Sequence, residues 1–435
     1  MADSAIQGRC IKQKGGTISI EAFISARQKV LRDYLAAISG SAGRLVFSLA
    51  YFVVLANALS IADFGVFATA SAAGVMLSRI LAFGFIAPLY RIATVKPRLL
   101  GTYTAGFLLT SALSLPLLAA AGFVVFLLFF HGDMTASAFA LVVAAEALLW
   151  RPTEAVIIVN NGLNHFGRGA FLTIFGTAIR ALAAGLFVLL GAHDLWTWTL
   201  FYVGANALSL AIAAGFFYPW QRLRLQPVLY RRRLADAVYV ASAEVLFYLQ
   251  SELDKLLVLS IGGARLAGFY AIIMRLVDLT AIPIRTFSML LVQRMMRAPD
   301  MLARITVRIG IEAGIFAAST VAILALAILL HFFPTILGRN VAEAAPLIIL
   351  AAFIPGLRNI VEYHAELLFA RGQTFVRAVN LVVLAAVKAG LLVYVLNAYG
   401  AVREMVIALN PAFAALYLVS LVLTYSAFRF SAKRV

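Results

Sequence analysis

Residues 237–297 read AVYVASAEVLFYLQSELDKLLVLSIGGARLAGFYAIIMRLVDLTAIPIRTFSMLLVQRMMR. Two long apolar segments flank Gly262 and Gly263, and ionisable side chains lie inside both segments. Segments of this length and apolarity are typical of helices that cross a bilayer. Because ionisable groups are costly in hydrocarbon, their presence indicates a polar pathway inside a helix bundle.

The composition shows that the whole chain has this character. Of 435 residues, 63% are hydrophobic and 13% are charged, and the mean hydropathy is +0.97. A soluble protein of this length could not bury so much apolar surface, so we predict an all-α polytopic membrane protein. The single cysteine, Cys10, excludes a disulfide framework. The basic segment 1–37 has no uninterrupted apolar run before a small-residue cleavage site, so we expect no cleaved signal peptide.

About twelve apolar runs are long enough to cross a bilayer of about 30 Å. They are 38–60, 66–90, 101–130, 137–160, 170–191, 196–219, 237–261, 266–292, 305–333, 343–369, 376–398 and 404–427. Unpaired backbone polar groups are not tolerated in lipid, and the short alternating segments of a membrane barrel are absent. We therefore predict about 12 transmembrane helices.

The basic residues alternate between the two sides of these spans. One set of connections carries 23 of them, and the other set carries three, Arg265, Arg339 and Arg403. Basic loops stay in the cytoplasm, so both termini are predicted to be cytoplasmic. The net charge of +17 follows mostly from this topology, and nucleic-acid binding is not needed to explain it.

The most basic connection, at 220–236, divides the chain into two groups of six spans. We expect a cytoplasmic segment, a six-helix lobe, a linker, a second six-helix lobe and a cytoplasmic tail. Their ranges are 1–37, 38–219, 220–236, 237–427 and 428–435. A faint repeat supports the division, since DFGVFA at 63–68 and LAGFYA at 266–271 follow the first helix of each lobe. Duplicated lobes of this kind are common in transporters.

Polar residues form stripes on spans seven and eight. At 100° per residue, Glu244, Tyr248, Ser251 and Lys255 share one face of span seven. On span eight the shared face carries Arg275, Asp278 and Arg285. A tight turn joins the two helices, so the stripes can face each other.

The other intramembrane charges permit more than one interpretation. Arg151 and Glu154, Arg308 and Glu312, and Arg358 and Glu362 are spaced for local pairs that only neutralise charge inside the bundle. Arg44 lies near the cytoplasmic boundary, where its side chain can reach the interface. Arg79 and Arg275 lie near mid-span, which favours a functional role.

Arginines from several helices suit an anionic ligand. Guanidinium groups bind phosphate through paired hydrogen bonds, and a desolvated cavity strengthens the attraction. A pyrophosphate-linked lipid with a polar headgroup needs such a cavity. The chain contains neither a G-x-x-x-x-G-K-[ST] loop nor an H-E-x-x-H motif, so we do not expect an enzyme. The single cluster that resembles an acid-base or metal site is His364 with Glu362 and Glu366, and the metal is left open.

Two stretches carry a family resemblance. SELDKLLVLSIGGARLAGFYAIIMRLVDLTAIPIRTFSMLLVQRMMR at 251–297 resembles the spans-seven-and-eight signature of polysaccharide and O-antigen flippases. That signature has a D-[KR] pair, a glycine-containing turn, G-x-Y-x-x-x-x-[KR] and a closing basic stretch. VVLANALSIADFGVFATASAAG at 53–74 is similar to their N-terminal segment. These proteins belong to the multidrug/oligosaccharidyl-lipid/polysaccharide exporter superfamily.

The resemblance implies two six-helix lobes around a central cavity that opens alternately to each side. It implies transport of an undecaprenyl-pyrophosphate-linked oligosaccharide across the bacterial inner membrane for surface polysaccharide biosynthesis, such as O-antigen (lipopolysaccharide), capsule or exopolysaccharide. Asp254 and Lys255 match the D-[KR] pair, and Arg275 matches the basic position after G-x-Y. Arg44 and Arg79 lie on helices that line the cavity in relatives. Implied partners are the lipid-linked oligosaccharide, membrane lipids, a polysaccharide polymerase and glycosyltransferases.

We therefore expect a substrate cavity and, beside it, acids that pair with the basic residues or bind a coupling ion. The predicted cavity residues are Arg44, Arg79, Arg275, Arg285 and Lys255. The predicted charge partners or coupling-ion ligands are Glu244, Asp254 and Asp278, which leaves Na⁺ or H⁺ coupling open without a cofactor. Inside the second lobe the spans hold six basic and seven acidic residues, which departs from a uniformly basic cavity. Two alternatives stay open, a cation-coupled multidrug exporter of the same superfamily and a membrane-embedded enzyme of polysaccharide assembly.

Overall fold

The computed structural model describes residues 43–297 and 305–428, and the regular elements in those ranges are helices. The basic segment 1–37, most of the tail and the side chain of Arg285 lie outside what it describes. The α-helices are α1 (Gly43–Ala58), α2 (Ile61–Ser78), α3 (Ile86–Val95), α4 (Leu100–Phe129), α5 (Ala136–Ala144), α6 (Arg151–Gly162), α7 (Phe166–Leu189), α8 (Leu195–Ile212), α9 (Pro227–Arg297), α10 (Ile305–Phe332), α11 (Arg339–Ile348), α12 (Ile354–Ala370), α13 (Thr374–Ala398) and α14 (Val402–Ala427).

The predicted fold class, an all-α polytopic membrane protein, is confirmed. By length and apolarity, eight helices in the described ranges can cross a membrane, or nine when α11 and α12, bent by 67°, count as one span. Each predicted span coincides with a described helix, with part of one, or with helices in series. Spans seven and eight both lie in α9, which is broken at Gly263. Gly263 has φ +78°, a backbone region that favours glycine.

Three of the predicted spans are interrupted. Between α2 and α3 a 3₁₀ turn at Leu81–Gly84 contains Ala82 and Phe83 with positive φ values of 57° and 48°. A π-helical turn at Ala145–Trp150 connects α5 to α6. The third is the bend between α11 and α12. Non-helical backbone at membrane depth is tolerated where protein or a polar cavity surrounds it.

The two repeated segments found in the sequence lie against each other. A Cβ placed on Gly65 of α2 would lie 2.3 Å from the backbone nitrogen of Gly268 in α9. A Cβ on Gly268 would lie 2.0 Å from the carbonyl oxygen of Ile61. Real side chains do not fit at such distances, so only glycine lets these two helices approach this closely. We call this end of the bundle, with residues 57–65 and 262–268, the hairpin end.

Hydrogen bonds join the two halves of the chain at the hairpin end. The Asn57 amide donates to the carbonyl oxygen of Leu337 at 2.8 Å, and the Asn340 amide donates to the carbonyl oxygens of Ala56 and Leu59 at 2.7 and 2.8 Å. The backbone N–H of Asn340 also donates to Asn57 Oδ1 at 3.0 Å. These bonds satisfy carbonyl groups at the end of α1 that have no helical partner.

The predicted linker at 220–236 packs on the first half of the chain. Its C-terminal part is helical, because α9 already begins at Pro227. Tyr230 is buried, its ring lies 5.7 Å from that of Phe85, and its hydroxyl donates to the carbonyl oxygen of Thr102 at 2.8 Å. The first turns of α9 are therefore anchored to the first half. The predicted domain boundaries themselves stay a prediction.

We expect Gly268→Ala to destabilise the protein by about 1–3 kcal/mol, because the added methyl group overpacks the contact between α2 and α9. Gly185→Ala in α7 is the matched control, since a Cβ there would meet nothing within 4 Å. The control should leave stability unchanged or raise it by up to about 1 kcal/mol. Unfolding in detergent micelles measures both, and equal stability of the two variants would contradict the packing argument.

Candidate functional site

A cavity of about 380 Å³ lies between the two halves. Helices α1, α2, α7, α8 and α9 line it, together with the π-helical turn and the start of α6. Its charged lining residues are Arg44, Arg79, Glu146, Glu154, Arg180, Glu252, Lys255, Arg275 and Asp278. Its aromatic lining residues are Tyr51, Phe52, Phe64, Phe67, Trp150, Tyr202 and Tyr248. The cavity therefore combines charge of both signs with aromatic surface.

Most of the predicted site residues meet at this cavity. Its lining includes the predicted cavity residues Arg44, Arg79, Lys255 and Arg275 and the predicted acid Asp278. Glu244 lies beside it, in ionic contact with Arg79. Asp254 is buried behind it, at 1% exposure, and pairs with another helix. The side chain of Arg285 lies outside the described residues, so its role stays a prediction.

Two buried arginines and two partly exposed carboxylates form a cluster at one side of the cavity. Arg79 Nη1 lies 3.0 Å from Glu154 and 3.8 Å from Glu244. Arg151 contacts the same two acids, at 2.9 and 2.7 Å. The Arg79 guanidinium also lies 4.4 Å from the centre of the Tyr248 ring. Each charge is compensated, and the cluster connects α2 and α6 of the first half to α9 of the second.

Of the three other cavity arginines, Arg275 and Arg180 have neutral partners. The Arg275 guanidinium donates to the Ser48 hydroxyl, and Arg180 donates from two nitrogens to Asn206 Oδ1 at 3.1 and 2.6 Å. Arg180 also stacks 4.1 Å above the Trp150 ring. Arg44 lies close enough to Arg275 and Arg180 for mutual repulsion. Among the described residues, no carboxylate oxygen lies within 4.0 Å of any of these three guanidinium groups.

Glu146 is a carboxylate held by neutral donors. It is 2% exposed and accepts hydrogen bonds from the Ser71 hydroxyl at 2.7 Å and from the Tyr202 hydroxyl. It lies in the π-helical turn, a feature frequent at functional sites. Gly74 of α2 makes room for it, because a Cβ there would lie 3.0 Å from Glu146 Cγ.

Apart from Arg275, the charged residues with which α9 lines the cavity, Glu252, Lys255 and Asp278, are in ion pairs. Lys255 lies 2.5 Å from Glu252, one turn earlier in the same helix. Arg358 of α12 contacts Asp278 at 3.3 Å and Glu362 at 3.6 Å. The stripes predicted on spans seven and eight therefore do face the same cavity, where Tyr248, Lys255, Arg275 and Asp278 are found together.

His364 does not form the cluster that its sequence neighbours suggested. Its ring nitrogens lie 2.9 Å from the Ser420 hydroxyl and 3.2 Å from Glu312, on two other helices. Glu366 instead contacts Arg377, at 2.8 Å. Within residues 43–297 and 305–428, no group of three or more His, Cys, Asp and Glu side chains is placed to hold a metal ion.

Sequence reasoning did not assign Arg180 and Glu146 to the site. The sequence does indicate a site role for Arg180, because this residue lies mid-span and has no carboxylate three or four residues away. The indication for Glu146 is weaker. Its nearest arginine, Arg151, is five residues away, whereas ion pairs within a helix form at spacings of three or four. Its position in the cavity wall depends on the π-helical turn, which no local motif predicts.

These features define a multi-pass helical membrane protein with a charged cavity between two halves of its chain. The fold matches solved transporters. A MATE structure in complex with MaD3S is 13% identical, the match covers 90% of this chain and 94% of that chain, and the TM-score is 0.55. A MOP superfamily transporter from Pyrococcus furiosus, described as having a binding pocket of reverse polarity, is 12% identical, with 90% and 94% covered and a TM-score of 0.56.

An outward-facing multidrug resistance MATE family transporter of the MOP superfamily is also similar in fold. It is 13% identical, the match covers 90% of this chain and 93% of that chain, and the TM-score is 0.54. No protein-family model matches the chain, and no curated protein matches it by sequence. At these identities the likeness establishes the fold, and this protein has a MATE-like fold.

The interaction between Arg151 and Glu244 in this cluster can be measured by a double-mutant cycle on Arg151→Met and Glu244→Gln. We expect a coupling energy of about 1–3 kcal/mol, since the pair is 2.7 Å apart and its arginine is almost fully buried. The matched control is Arg233→Met with Asp236→Asn, an exposed pair at 3.8 Å, which should couple by less than about 0.5 kcal/mol. Unfolding in detergent measures both cycles. A coupling as weak as the control would show that the cluster does not hold the halves together.

Proposed function

We propose that this chain is a transporter that flips an undecaprenyl-pyrophosphate-linked oligosaccharide across the bacterial inner membrane for surface polysaccharide biosynthesis. The observation that carries the proposal is the set of three cavity arginines, Arg44, Arg180 and Arg275, none of which is in an ion pair with a described carboxylate. The remaining described cavity charges have partners of opposite sign or neutral donors. An anionic ligand is the partner that this arrangement lacks.

Pyrophosphate fits the chemistry of these arginines. Guanidinium groups bind phosphate oxygens through paired, charge-assisted hydrogen bonds, and the low dielectric of a membrane interior strengthens the attraction. Aromatic residues such as Tyr51 and Trp150 also line the cavity, and aromatic side chains pack well against the apolar faces of sugar rings. A cavity of about 380 Å³ has room for the pyrophosphate and the first sugar, and the polyprenyl chain would lie in the lipid.

In this proposal transport occurs by alternating access, in which contacts between the two halves form and break in turn. The halves are bound together at the hairpin end through Asn57 and Asn340, and the cluster of Arg79, Arg151, Glu154 and Glu244 connects them further along the cavity. The distribution of basic residues in the sequence supports a periplasmic hairpin end and cytoplasmic termini. In this proposal the substrate enters from the cytoplasmic leaflet, and a polymerase and glycosyltransferases act on either side of the step.

A cation-coupled multidrug exporter is the second candidate. Two observations favour it: a structure of similar fold is that of a multidrug resistance MATE transporter, and Glu146 is a buried carboxylate among aromatic rings. Organic cations bind to such carboxylates and to aromatic faces. The two candidates differ in which charge the substrate neutralises, the arginines or Glu146.

Arg180→Ala and Arg275→Ala should each abolish surface polysaccharide in cells that depend on this gene, because each removes a phosphate-binding group. Arg275→Lys should retain part of the activity, since it keeps the charge but not the paired geometry. Arg403→Ala, which removes an exposed arginine at the start of α14, is the control. Polysaccharide is measured by gel at matched protein levels. Wild-type polysaccharide in both alanine variants would exclude the flippase assignment.

Glu146→Gln separates the two candidates. In a multidrug exporter it should remove resistance to organic cations on overexpression, because the carboxylate is the counter-charge of the drug. In the flippase it should leave cation resistance at the level of the empty vector, since the wild-type protein confers none. Minimum inhibitory concentrations of organic cations measure this. Resistance conferred by the wild type and lost in Glu146→Gln would replace the first proposal by the second.

A further inference from the structure

A fully buried lysine in the second half of the chain is held in an unusual way. Lys388 of α13 is 4% exposed, and its ammonium lies 2.9 Å from the carbonyl oxygen of Gln250 and 3.2 Å from that of Ser251. Both carbonyls belong to α9, whose helical hydrogen bonds use one lone pair of each and leave the second available. A side-chain amine that reaches across to two successive carbonyls of another helix is bound mainly by the main chain.

A carboxylate completes the arrangement. Asp254 Oδ1 lies 3.2 Å from the Lys388 ammonium, and Asp254 is 1% exposed. Its second oxygen accepts a hydrogen bond of 2.5 Å from the Tyr270 hydroxyl, so it is oriented from two sides. The ammonium is therefore surrounded by three oxygens, one of them charged. Hard cations prefer oxygen ligands of this kind, and the single negative charge of Asp254 matches a monovalent cation.

We propose that the Lys388 ammonium is a tethered cation, occupying a monovalent-cation site formed by Asp254 and the carbonyl groups of Gln250 and Ser251. The covalent tether keeps the site filled, so Na⁺ neither binds there nor leaves. Within the proposed transport function, on which this consequence rests, the cycle uses no Na⁺ at this position. In this proposal Asp254 is the charge partner of Lys388 and not a ligand of a coupling Na⁺.

The energetics of the site support this assignment. Removing one partner of a buried ion pair leaves an uncompensated charge, which is strongly unfavourable. When Lys388 is truncated to alanine, the buried Asp254 carboxylate and two carbonyl oxygens face the space left by the lysine chain. A metal cation that enters this space restores the lost charge balance. The vacated site is thus expected to bind Na⁺, whereas the filled one is not.

The test measures thermal unfolding of the purified protein in detergent, in NaCl and in choline chloride at equal ionic strength. The wild type should unfold at the same temperature in both salts. Lys388→Ala should be less stable than the wild type in choline chloride and should gain roughly 2–4 °C or more in NaCl, because a ligand that binds only the folded state stabilises it. Lys388→Ala with Asp254→Asn, which also removes the carboxylate, should lose the response to Na⁺.

Two results would overturn the proposal. One is a wild-type protein stabilised by NaCl relative to choline chloride. The other is a Lys388→Ala protein that is equally destabilised, or equally aggregated, in both salts while Lys388→Met with Asp254→Asn stays folded. Neither measurement involves a transport substrate. If the tethered-cation proposal fails this test, the flippase proposal is unaffected. Normal polysaccharide in the cavity-arginine variants would contradict the flippase proposal but not the tethered cation.

Discussion

Placing charged groups inside a membrane is the constraint on which this structure depends. An arginine stays protonated at any accessible pH, so a buried guanidinium must find fixed polar partners. Arg79 and Arg151 find them in the carboxylates of Glu154 and Glu244, which belong to different halves of the chain. The contacts that neutralise these charges are therefore also the contacts that decide which helices are neighbours. Arg358 has the same effect further along, where it brings α12 against Asp278 of α9.

Close backbone packing acts together with these ionic contacts. At the hairpin end the chain uses glycine at positions 65 and 268, and the two helices touch where any side chain would separate them. In lipid, helices gain little from hydrophobic burial against each other, so close van der Waals contact and polar bonds determine how they associate. The hairpin end has close contact and the cavity has polar bonds. Among the described cavity residues, Arg44, Arg180 and Arg275 depart from this balance because they have no ion-paired carboxylate, and Glu146 departs from it because it has only neutral donors.

Much of the fold follows from the sequence, because span length and apolarity are local properties. The turn at Gly263 and the polar stripes of α9 could both be anticipated from spacing and residue type, whereas the contact between the two repeats could not. The interruption at Ala82 and Phe83 could not, since neither residue favours positive φ and the surrounding structure holds them there. Local spacing also correctly predicted the pairs Arg151 with Glu154 and Arg358 with Glu362.

Longer-range pairings lie beyond such reasoning. Asp278 is three residues from Arg275, yet it binds Arg358, and the partner of Asp254 is 134 positions away along the chain at Lys388. One sequence contains no information about which of several buried ions will meet across helices. Arg180 illustrates the same limit, because its partners Asn206 and Trp150 are neutral and no charge pattern connects them.

Because Tyr230 of α9 packs on the first half of the chain, the position of a cut that divides the polypeptide into two fragments matters. A cut within the basic connection, before Pro227, would leave α9 and its Tyr230 with the second fragment, although that side chain fills a space between Phe85 and the carbonyl group of Thr102 in the first. The first fragment would then expose an unfilled aromatic pocket until its partner arrived. A cut at residues 298–304, after α9, would keep Tyr230 with Phe85 and Thr102 but would separate Asp254 and Asp278 from Lys388 and Arg358. Because α9 packs on both halves, either cut leaves buried groups of one fragment without partners until the other fragment binds.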